Sequence, residues 1–149
     1  MLNKYPFMPI GIIAKKEDNI DLYNLINKIK NNIKEKNCGV IITFTGIVRP
    51  KTLDGKKVEK LEYEIFEEYA KKTINEIVES ISKINGVIDI ILCHKYGTFL
   101  PGEEVLYIII AAERSEIAIE AMRIALNKAK HEIPIWKKEY TSEGAYWIH

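Results

Sequence analysis

Cysteine and histidine are scarce in this chain of 149 residues, which has two cysteines and three histidines. Cys38 and Cys93 are far apart, and each lies in or beside an apolar, strand-like run. We therefore predict two small buried thiols. No cysteine and histidine residues have the spacing of a zinc site, so we expect the protein to work without a metal or cofactor of its own.

Long apolar runs are also missing. The longest, Val105 to Ala112, is far shorter than the ~20 residues that a membrane-spanning helix needs. The first residues, MLNKYPFMPIGII, hold one lysine and a short apolar stretch that Pro6, Pro9 and Gly11 interrupt. They include no small-residue cleavage site and do not resemble a signal peptide, so we expect a cytoplasmic protein without a membrane segment.

Neither sign of charge is in excess, because 22 basic and 21 acidic residues leave a net charge of +1. General nucleic-acid binders carry a clear basic excess, so this class is disfavoured. The 47% hydrophobic and 29% charged residues are typical of a globular protein. Without repeats, linkers or low-complexity segments, the chain is predicted to form one domain over residues 1–149.

The hydrophobic pattern predicts seven strands and three main helices. The strands are expected at 7–14, 38–49, 58–66, 87–96, 104–112, 135–140 and 145–148. The helices are expected from Asp18 or Asn19 to about Lys36, over 67–84, and from a cap at Ser115 to the chain reversal at Pro134. This order mixes hairpins with helical crossovers, which indicates an α+β fold with a mixed, mostly antiparallel sheet.

Each predicted helix has one apolar face that should turn inward. The three inward sets are Ile20, Tyr23, Ile26, Ile29 and Ile33; Ala70, Ile74, Ile77, Val78 and Ile81; and Ala118, Ala121, Met122, Ala125 and Ala129. Segment 38–49 is β-branched and aromatic, typical of a buried strand. Gly46 in its interior predicts a bulge or the close approach of a ligand.

Lys130 and Lys137 stand on either side of the helix end that Pro134 imposes. Proline cannot continue a helix and directs Ile133 toward extended geometry. A chain that reverses there can direct both ammonium groups into one pocket. Each cation would then disfavour the charge of the other, which is a known way to prepare a lysine as a nucleophile or acid/base. The alternative is two surface lysines in a lysine-rich chain.

The three arginines are also informative. Arg49 closes the segment FTGIVR, and Arg114 lies at a strand-to-helix junction. Positions of this kind suit phosphate, because backbone N–H groups of a helix start are close by. The alternative for both is ion pairing with some of the 21 acids. Arg123, in mid-helix among exposed residues, is more typical of a structural role.

No GxGxxG, P-loop or GxSxG motif is present. Two further side chains each have two possible roles. His94, at a strand end, is either a general base or a hydrogen-bonded structural histidine. Trp136 either stacks on a flat heterocycle or fills the core.

Taken together, several segments resemble one family, the large, catalytic subunit of molybdopterin synthase. They follow the family's order over residues 38–148: Gly39 with FTGIVR at 44–49, His94 with Gly97, Pro101-Gly102-Glu103, PIWKKE at 134–139, and Gly144 with Trp147. The resemblance implies an α/β hammerhead fold, in agreement with the α+β order.

The resemblance also implies a sulfur-transfer reaction and its partners. The family converts cyclic pyranopterin monophosphate (precursor Z) into molybdopterin by inserting two sulfurs as a dithiolene. Sulfur arrives as a thiocarboxylate on the C-terminal Gly-Gly of a small ubiquitin-like carrier subunit. The implied assembly is a homodimer of large subunits within a heterotetramer.

By resemblance, Lys130 and Lys137 match the two catalytic lysines, which also bind substrate, and Arg49 matches a substrate-binding arginine. The family's His-Arg pair falls on Glu113-Arg114, so Arg114 is expected to bind substrate in place of either the histidine or the arginine. We hypothesise that Lys130 lies nearest the carrier's tail and Lys137 nearest the pterin. Longer members continue with a basic tail into the neighbouring subunit's pocket, a contribution expected here to be missing or supplied otherwise.

Two other classes stay open on the sequence. A non-catalytic α+β small-ligand-binding regulatory module would keep its ligand affinity without Lys130 and Lys137 and would move no sulfur. An RNA-binding domain would use Phe44, Trp136 and surface lysines, and the near-neutral charge disfavours it.

Overall fold

The computed structural model of the chain describes residues 9–148. Within them, the elements are β1 (Ile10–Lys15), α1 (Leu22–Asn32), β2 (Val40–Ile47), β3 (Val58–Ile65), α2 (Glu67–Ser82), β4 (Val87–Phe99), β5 (Glu104–Ala112), α3 (Ser115–His131), β6 (Ile135–Thr141) and β7 (Gly144–Ile148), with a 3₁₀ turn at Lys16–Asp18. The predicted order of strands and helices is confirmed. The first strand was expected to start at residue 7, which lies outside the described residues.

One mixed sheet joins all seven strands. Its order is β2-β5-β4-β3-β6-β7, and β1 pairs with β4 in parallel while every other pairing is antiparallel. This confirms the α+β prediction. No helix among residues 9–148 has the length and apolar character to cross a membrane.

Gly97 lies where β4 changes its neighbour. The β1 ladder ends at the pair Lys15–Tyr96, and the β3 ladder begins at the pair Tyr63–Gly97. The φ angle of Gly97 is +121°, a backbone conformation that residues with a Cβ rarely adopt. A loop was predicted to begin here, and this was wrong, because the strand continues to Phe99 and its backbone pairs with β3.

Two hydrophobic clusters lie on opposite faces of the sheet. Helices α2 and α3 cover one cluster, which includes Ile90 and Leu92 of β4, and α1 covers the other, which includes Ile91 and Cys93. Successive residues of a strand point to opposite faces, so a strand buried on both sides is apolar throughout. The inward residues predicted for α2 and α3 are all buried, as expected.

The predicted start of α1 was wrong. The cap is Asp21, whose side chain accepts a hydrogen bond from the Asn24 N–H. Asp18 instead accepts from the backbone N–H of Lys15 in the 3₁₀ turn. Tyr23 was expected to face inward, but 78% of its surface is exposed.

Two more local predictions need correction. Ser115 is the first residue of α3 rather than its cap, and the capping position belongs to Arg114, whose side chain makes no capping hydrogen bond. Strand β2 is half-buried rather than buried, because it lies at the edge of the sheet and pairs only with β5.

Candidate active site

A cleft of about 560 Å³ opens beside the end of α3. The last turn of α3, the start of β6, the end of β2 and the middle of β3 all contribute to its walls. Apolar side chains such as Phe44, Ile135 and Ile148 line it together with three cationic residues, Arg49, Lys130 and Lys137. The cleft therefore combines apolar walls with a concentration of positive charge.

The reversal around Pro134 brings Lys130 and Lys137 into this cleft from two elements. Helix α3 ends at His131, and β6 begins four residues later at Ile135. Strand β6 then runs antiparallel to β3, where Lys137 pairs with Tyr63. The alternative of two unrelated surface lysines does not hold, since both side chains line one cavity.

Lys137 is the cation whose protonation the fold changes most clearly. Its pKa is lowered, first by burial and then by the nearby charges of Arg49 and Lys130, while Glu139 opposes the effect. The sequence suggested that the neighbouring lysine would lower a pKa. Burial is the larger cause here, because removing an ammonium group from water disfavours its charged form.

The cleft cations form no ion pair within 4.0 Å in the described part of the chain, although the charge of Glu139 acts on Lys137 from further away. Seven ion pairs occur among residues 9–148, and none of them involves Arg49, Lys130 or Lys137. An arginine and two lysines left without a paired carboxylate provide charge-assisted hydrogen bonds for an anionic ligand. The ion-paired alternative for Arg49 is therefore not realised among these residues.

His94 also lines the cleft, as a buried side chain. Its Nδ1 lies 2.8 Å from the carbonyl oxygen of Lys95, which can only accept, so Nδ1 carries the proton. Burial, with the charge of Lys137 as a minor cause, lowers the His94 pKa to about 4. The ring is therefore neutral near pH 7 and a weak base, which favours the structural alternative.

The bulge beside Gly46 lies in the partner strand, since the unpaired residue is Val105 of β5. The register between β2 and β5 shifts there, so that Gly46 pairs with Leu106 but Ile47 pairs with Glu104. A Cβ at Gly46 would lie 3.2 Å from the Cβ of Leu106. The glycine thus allows the edge strand to lie close to β5 along the cleft wall.

Trp136 does not fill the core and does not line the cleft, so the core alternative was wrong, and stacking on a flat heterocycle stays a prediction. It is 43% exposed and contacts Phe66, with ring centroids 5.5 Å apart. With Trp147 it lines a separate surface pocket of about 350 Å³. The reason is strand alternation, since Trp136 and Lys137 are adjacent in β6 and point to opposite faces.

Arg114 is not brought together with the other predicted site residues of its own chain. It is exposed at the N-terminal end of α3, whereas Lys130 lies in the last turn. A helix of 17 residues separates them by roughly 25 Å. None of the ion pairs of the described residues involves Arg114 either.

The two cysteines lie in different surroundings. Cys93 is buried, and burial raises the pKa of its thiol to about 12, as expected of an unreactive core cysteine. Cys38 is only half-buried, so the prediction for it was too strong. No group of three or more His, Cys, Asp or Glu side chains within residues 9–148 is arranged to hold a metal ion.

Tyr63 is a cleft residue that the sequence did not single out. It is buried beside His94 and Lys137. No local signal shows that its strand pairs with β6. Only that pairing places a tyrosine in the cleft.

Comparison with known proteins identifies the family of the chain. A family model described as "MoaE protein" matches residues 16–132. The molybdopterin synthase catalytic subunit of Pyrococcus abyssi is 31% identical over 93% of this chain and 90% of its own length. The protein of the same description from Culex quinquefasciatus is 33% identical over 80% of this chain and 76% of its own.

Solved structures show the same architecture. The molybdopterin synthase from Staphylococcus aureus aligns with a TM-score of 0.77 and 26% identity, over 95% of this chain and 97% of that chain. A Helicobacter pylori structure, described as a complex of subunits 1 and 2 of molybdopterin-converting factor, aligns with a TM-score of 0.68 and 22% identity, over 93% and 88%.

Proposed function

The chain belongs to the MoaE family and functions as a molybdopterin synthase catalytic subunit in molybdenum cofactor biosynthesis, and we propose that its cleft is a sulfurtransferase active site. In this proposal, sulfur passes from a thiocarboxylated carrier protein to cyclic pyranopterin monophosphate, and the product is the molybdopterin dithiolene. The observation that carries it is the meeting of Arg49, Lys130 and Lys137 in one cleft, where none of them forms an ion pair among the described residues.

The charge of the cleft matches the two reactants. A cyclic phosphate and a thiocarboxylate are both anions, and they repel each other when they are brought together. Cations in a partly dry cavity offset that repulsion more strongly than they would in water. The apolar walls supply surface for the flat pterin and exclude part of the solvent.

The two lysines take different roles in the proposed reaction. Opening the cyclic phosphate releases an ester oxygen that needs a proton, and Lys137 donates it as a general acid. Its lowered pKa makes this ammonium group a stronger acid than an exposed lysine. Lys130, exposed at the end of α3, lies nearest the tail of the carrier and holds the thiocarboxylate.

The partners follow from the same proposal. The carrier is a small ubiquitin-like subunit whose Gly-Gly tail enters the cleft. Arg114 can bind the same substrate only in the cleft of another copy, because α3 separates it from Lys130. We therefore propose a homodimer of this chain, each copy one domain over residues 1–149, within a heterotetramer. A cytoplasmic location stays a prediction.

Reconstitution tests the function. The protein is mixed with a thiocarboxylated carrier and precursor Z, and the dithiolene product is measured for the unchanged chain and for Lys130→Ala and Lys137→Ala. We expect product from the unchanged chain and a loss of at least about 100-fold in each variant. Near-normal product from both variants would contradict the site. Tight pterin binding without product would instead favour a ligand-binding regulatory module.

A further inference from the structure

Tyr63 holds a position in the sheet that connects it to the reacting lysine. It pairs with Lys137 of β6 on one side and with Gly97 of β4 on the other. Residues directly opposite each other in antiparallel strands have side chains on the same face, with Cβ atoms about 5 Å apart. The side chains of Tyr63 and Lys137 therefore stand next to each other on the cleft face.

The ring of Tyr63 is held by its neighbours. It makes edge contacts with His94 and Phe99, at centroid distances of 5.1 and 6.0 Å. The Lys137 Nζ lies 6.0 Å from its centroid, within the range of a cation–π contact. Only 9% of the residue is exposed, so the ring has one fixed orientation and its hydroxyl has a defined position.

The hydroxyl of Tyr63 remains available. It makes no hydrogen bond to any of residues 9–148. If it were also fully buried, it would be a buried polar atom without a partner, and the only such side-chain atom in this range is Oδ2 of Asp89. The Tyr63 hydroxyl is therefore reached by solvent, and the cavity that Tyr63 lines is the cationic cleft. A polar group in such a place is normally satisfied by water or by a ligand.

The hydroxyl can act only as a donor toward an anion. Burial raises the pKa of Tyr63 to about 12, so the phenol keeps its proton throughout the neutral range. Arg49, Lys130 and Lys137, which line the same cleft, are also donors, and none of them can accept a hydrogen bond while charged. An oxyanion of the ligand can accept hydrogen bonds from donors of this kind.

We infer that Tyr63 is a further substrate-binding residue, whose hydroxyl donates a hydrogen bond to a phosphate oxygen of the pterin substrate beside Lys137. The inference rests on the proposed function for the identity of the substrate. The ring of Tyr63 lies beside Lys137, whose Nζ is 6.0 Å from its centroid, and the hydroxyl adds a neutral donor to the cations.

Tyr63→Phe isolates the hydroxyl, since phenylalanine keeps the ring contacts with His94, Phe99 and Lys137. In the reconstituted reaction we expect the KM for precursor Z to rise about tenfold, the usual effect of losing one hydrogen bond to a charged acceptor. The KM for the thiocarboxylated carrier and kcat should stay within about twofold. Thermal unfolding should be nearly unchanged, which separates a lost contact from a damaged fold.

Tyr140→Phe is the matched control. Tyr140 lies on β6 with its hydroxyl 3.5 Å from a carboxylate oxygen of Glu62, and it does not line the cleft. This variant should keep both KM values. A second measurement titrates inorganic phosphate into the unchanged protein and into Tyr63→Phe, followed by NMR shifts of cleft residues, and weaker binding is expected only in the variant.

An unchanged KM for precursor Z in Tyr63→Phe would overturn the inference, as would a rise confined to the KM of the carrier. In both cases Lys137→Ala would still be inactive, so the proposed function would stand. If Lys130→Ala and Lys137→Ala were active, the proposed function would fail by itself. Loss of phosphate binding in Tyr63→Phe would then still report the hydroxyl as an anion donor.

Discussion

Lys137 and Lys138 are neighbours on β6, yet they meet opposite surroundings. Lys137 faces the cleft, where burial and the charges of Arg49 and Lys130 lower its pKa. Lys138 faces the outer side of the sheet, with its Nζ 5.2 Å from the ring centroid of Trp147 and 5.3 Å from that of Tyr140. The Lys137 ammonium group shares its cleft with two other cations, whereas the Lys138 ammonium group lies over two aromatic rings.

The comparison shows that the chemistry of a lysine depends on the face to which its strand directs it. Two residues of the same type, one position apart, differ because strands alternate between faces. On one face α3 and β2 enclose a cavity that reduces hydration. On the other face Lys138 lies over aromatic rings, and these cation–π contacts add little more than about 1 kcal/mol.

Replacing each lysine by arginine should give the largest difference in activity between the two positions. Arginine keeps the charge but does not release a proton near pH 7. If Lys137 is the proton donor, Lys137→Arg lowers kcat at least about 100-fold, whereas Lys138→Arg stays within about twofold. The measurement is dithiolene formation by the reconstituted synthase. Equal activity of the two variants would show that only charge is needed at position 137.

The pH dependence of kcat should report the lowered pKa of Lys137. Lys137 must be protonated to act as an acid, so activity should fall as pH rises through its lowered pKa. Arg49→Gln removes the largest cause of the lowered Lys137 pKa after burial. The basic limb of the pH profile, where kcat falls with rising pH, should therefore move to higher pH.

The same Arg49 variant should raise the KM for precursor Z about tenfold, because one charged hydrogen-bond donor is lost. Lys138→Gln serves as the control and should leave the limb in place. A basic limb that does not move in Arg49→Gln would mean that another group limits the rate.

The free energy of unfolding should show the smallest difference between variants of Lys137 and Lys138. Burial lowers the pKa of Lys137 below the unfolded value of about 10.4, so the native state binds this proton less tightly than the unfolded state. The resulting penalty is complete at pH 7 and is lost as pH rises through the native pKa toward 10.4.

Lys137→Met should therefore raise stability at pH 7 by on the order of 1 kcal/mol, or about 2–4 °C in Tm, and less near pH 10. Lys138→Met should change stability by less than about 0.5 kcal/mol. Scanning calorimetry at the two pH values makes the measurement. A destabilised Lys137→Met at pH 7 would contradict the assigned cost of burial.

Much of the fold could be predicted from local pattern. The inward faces of α2 and α3 follow from apolar residues at helical spacing, and all predicted members are buried. The pattern failed for Tyr23, where an aromatic residue at the right spacing lies beyond the edge of the covered face. The extension of β4 past Gly97 was also missed, because a glycine with positive φ resembles a loop until a partner strand pairs beside it.

The candidate site could be predicted in part. Lys130 and Lys137 share a cleft because Pro134 forces a nearby reversal, which is a local constraint. The face of Trp136 could not be assigned, since it depends on which side of β6 the rest of the fold covers. Arg114 fits a strand-to-helix junction locally, but only the direction of α3 shows how far it lies from Lys130.

What the chain determines by itself is short-range: where helices and strands begin, which residues share a face, and where the backbone bulges or reverses. These properties depend on side-chain spacing, proline and glycine, which act over a few residues. Strand pairing and enclosure were decided only in three dimensions. They bring Tyr63 to Lys137 and place one lysine, but not its neighbour, beside other cations, because these surroundings depend on surfaces that distant parts of the chain supply.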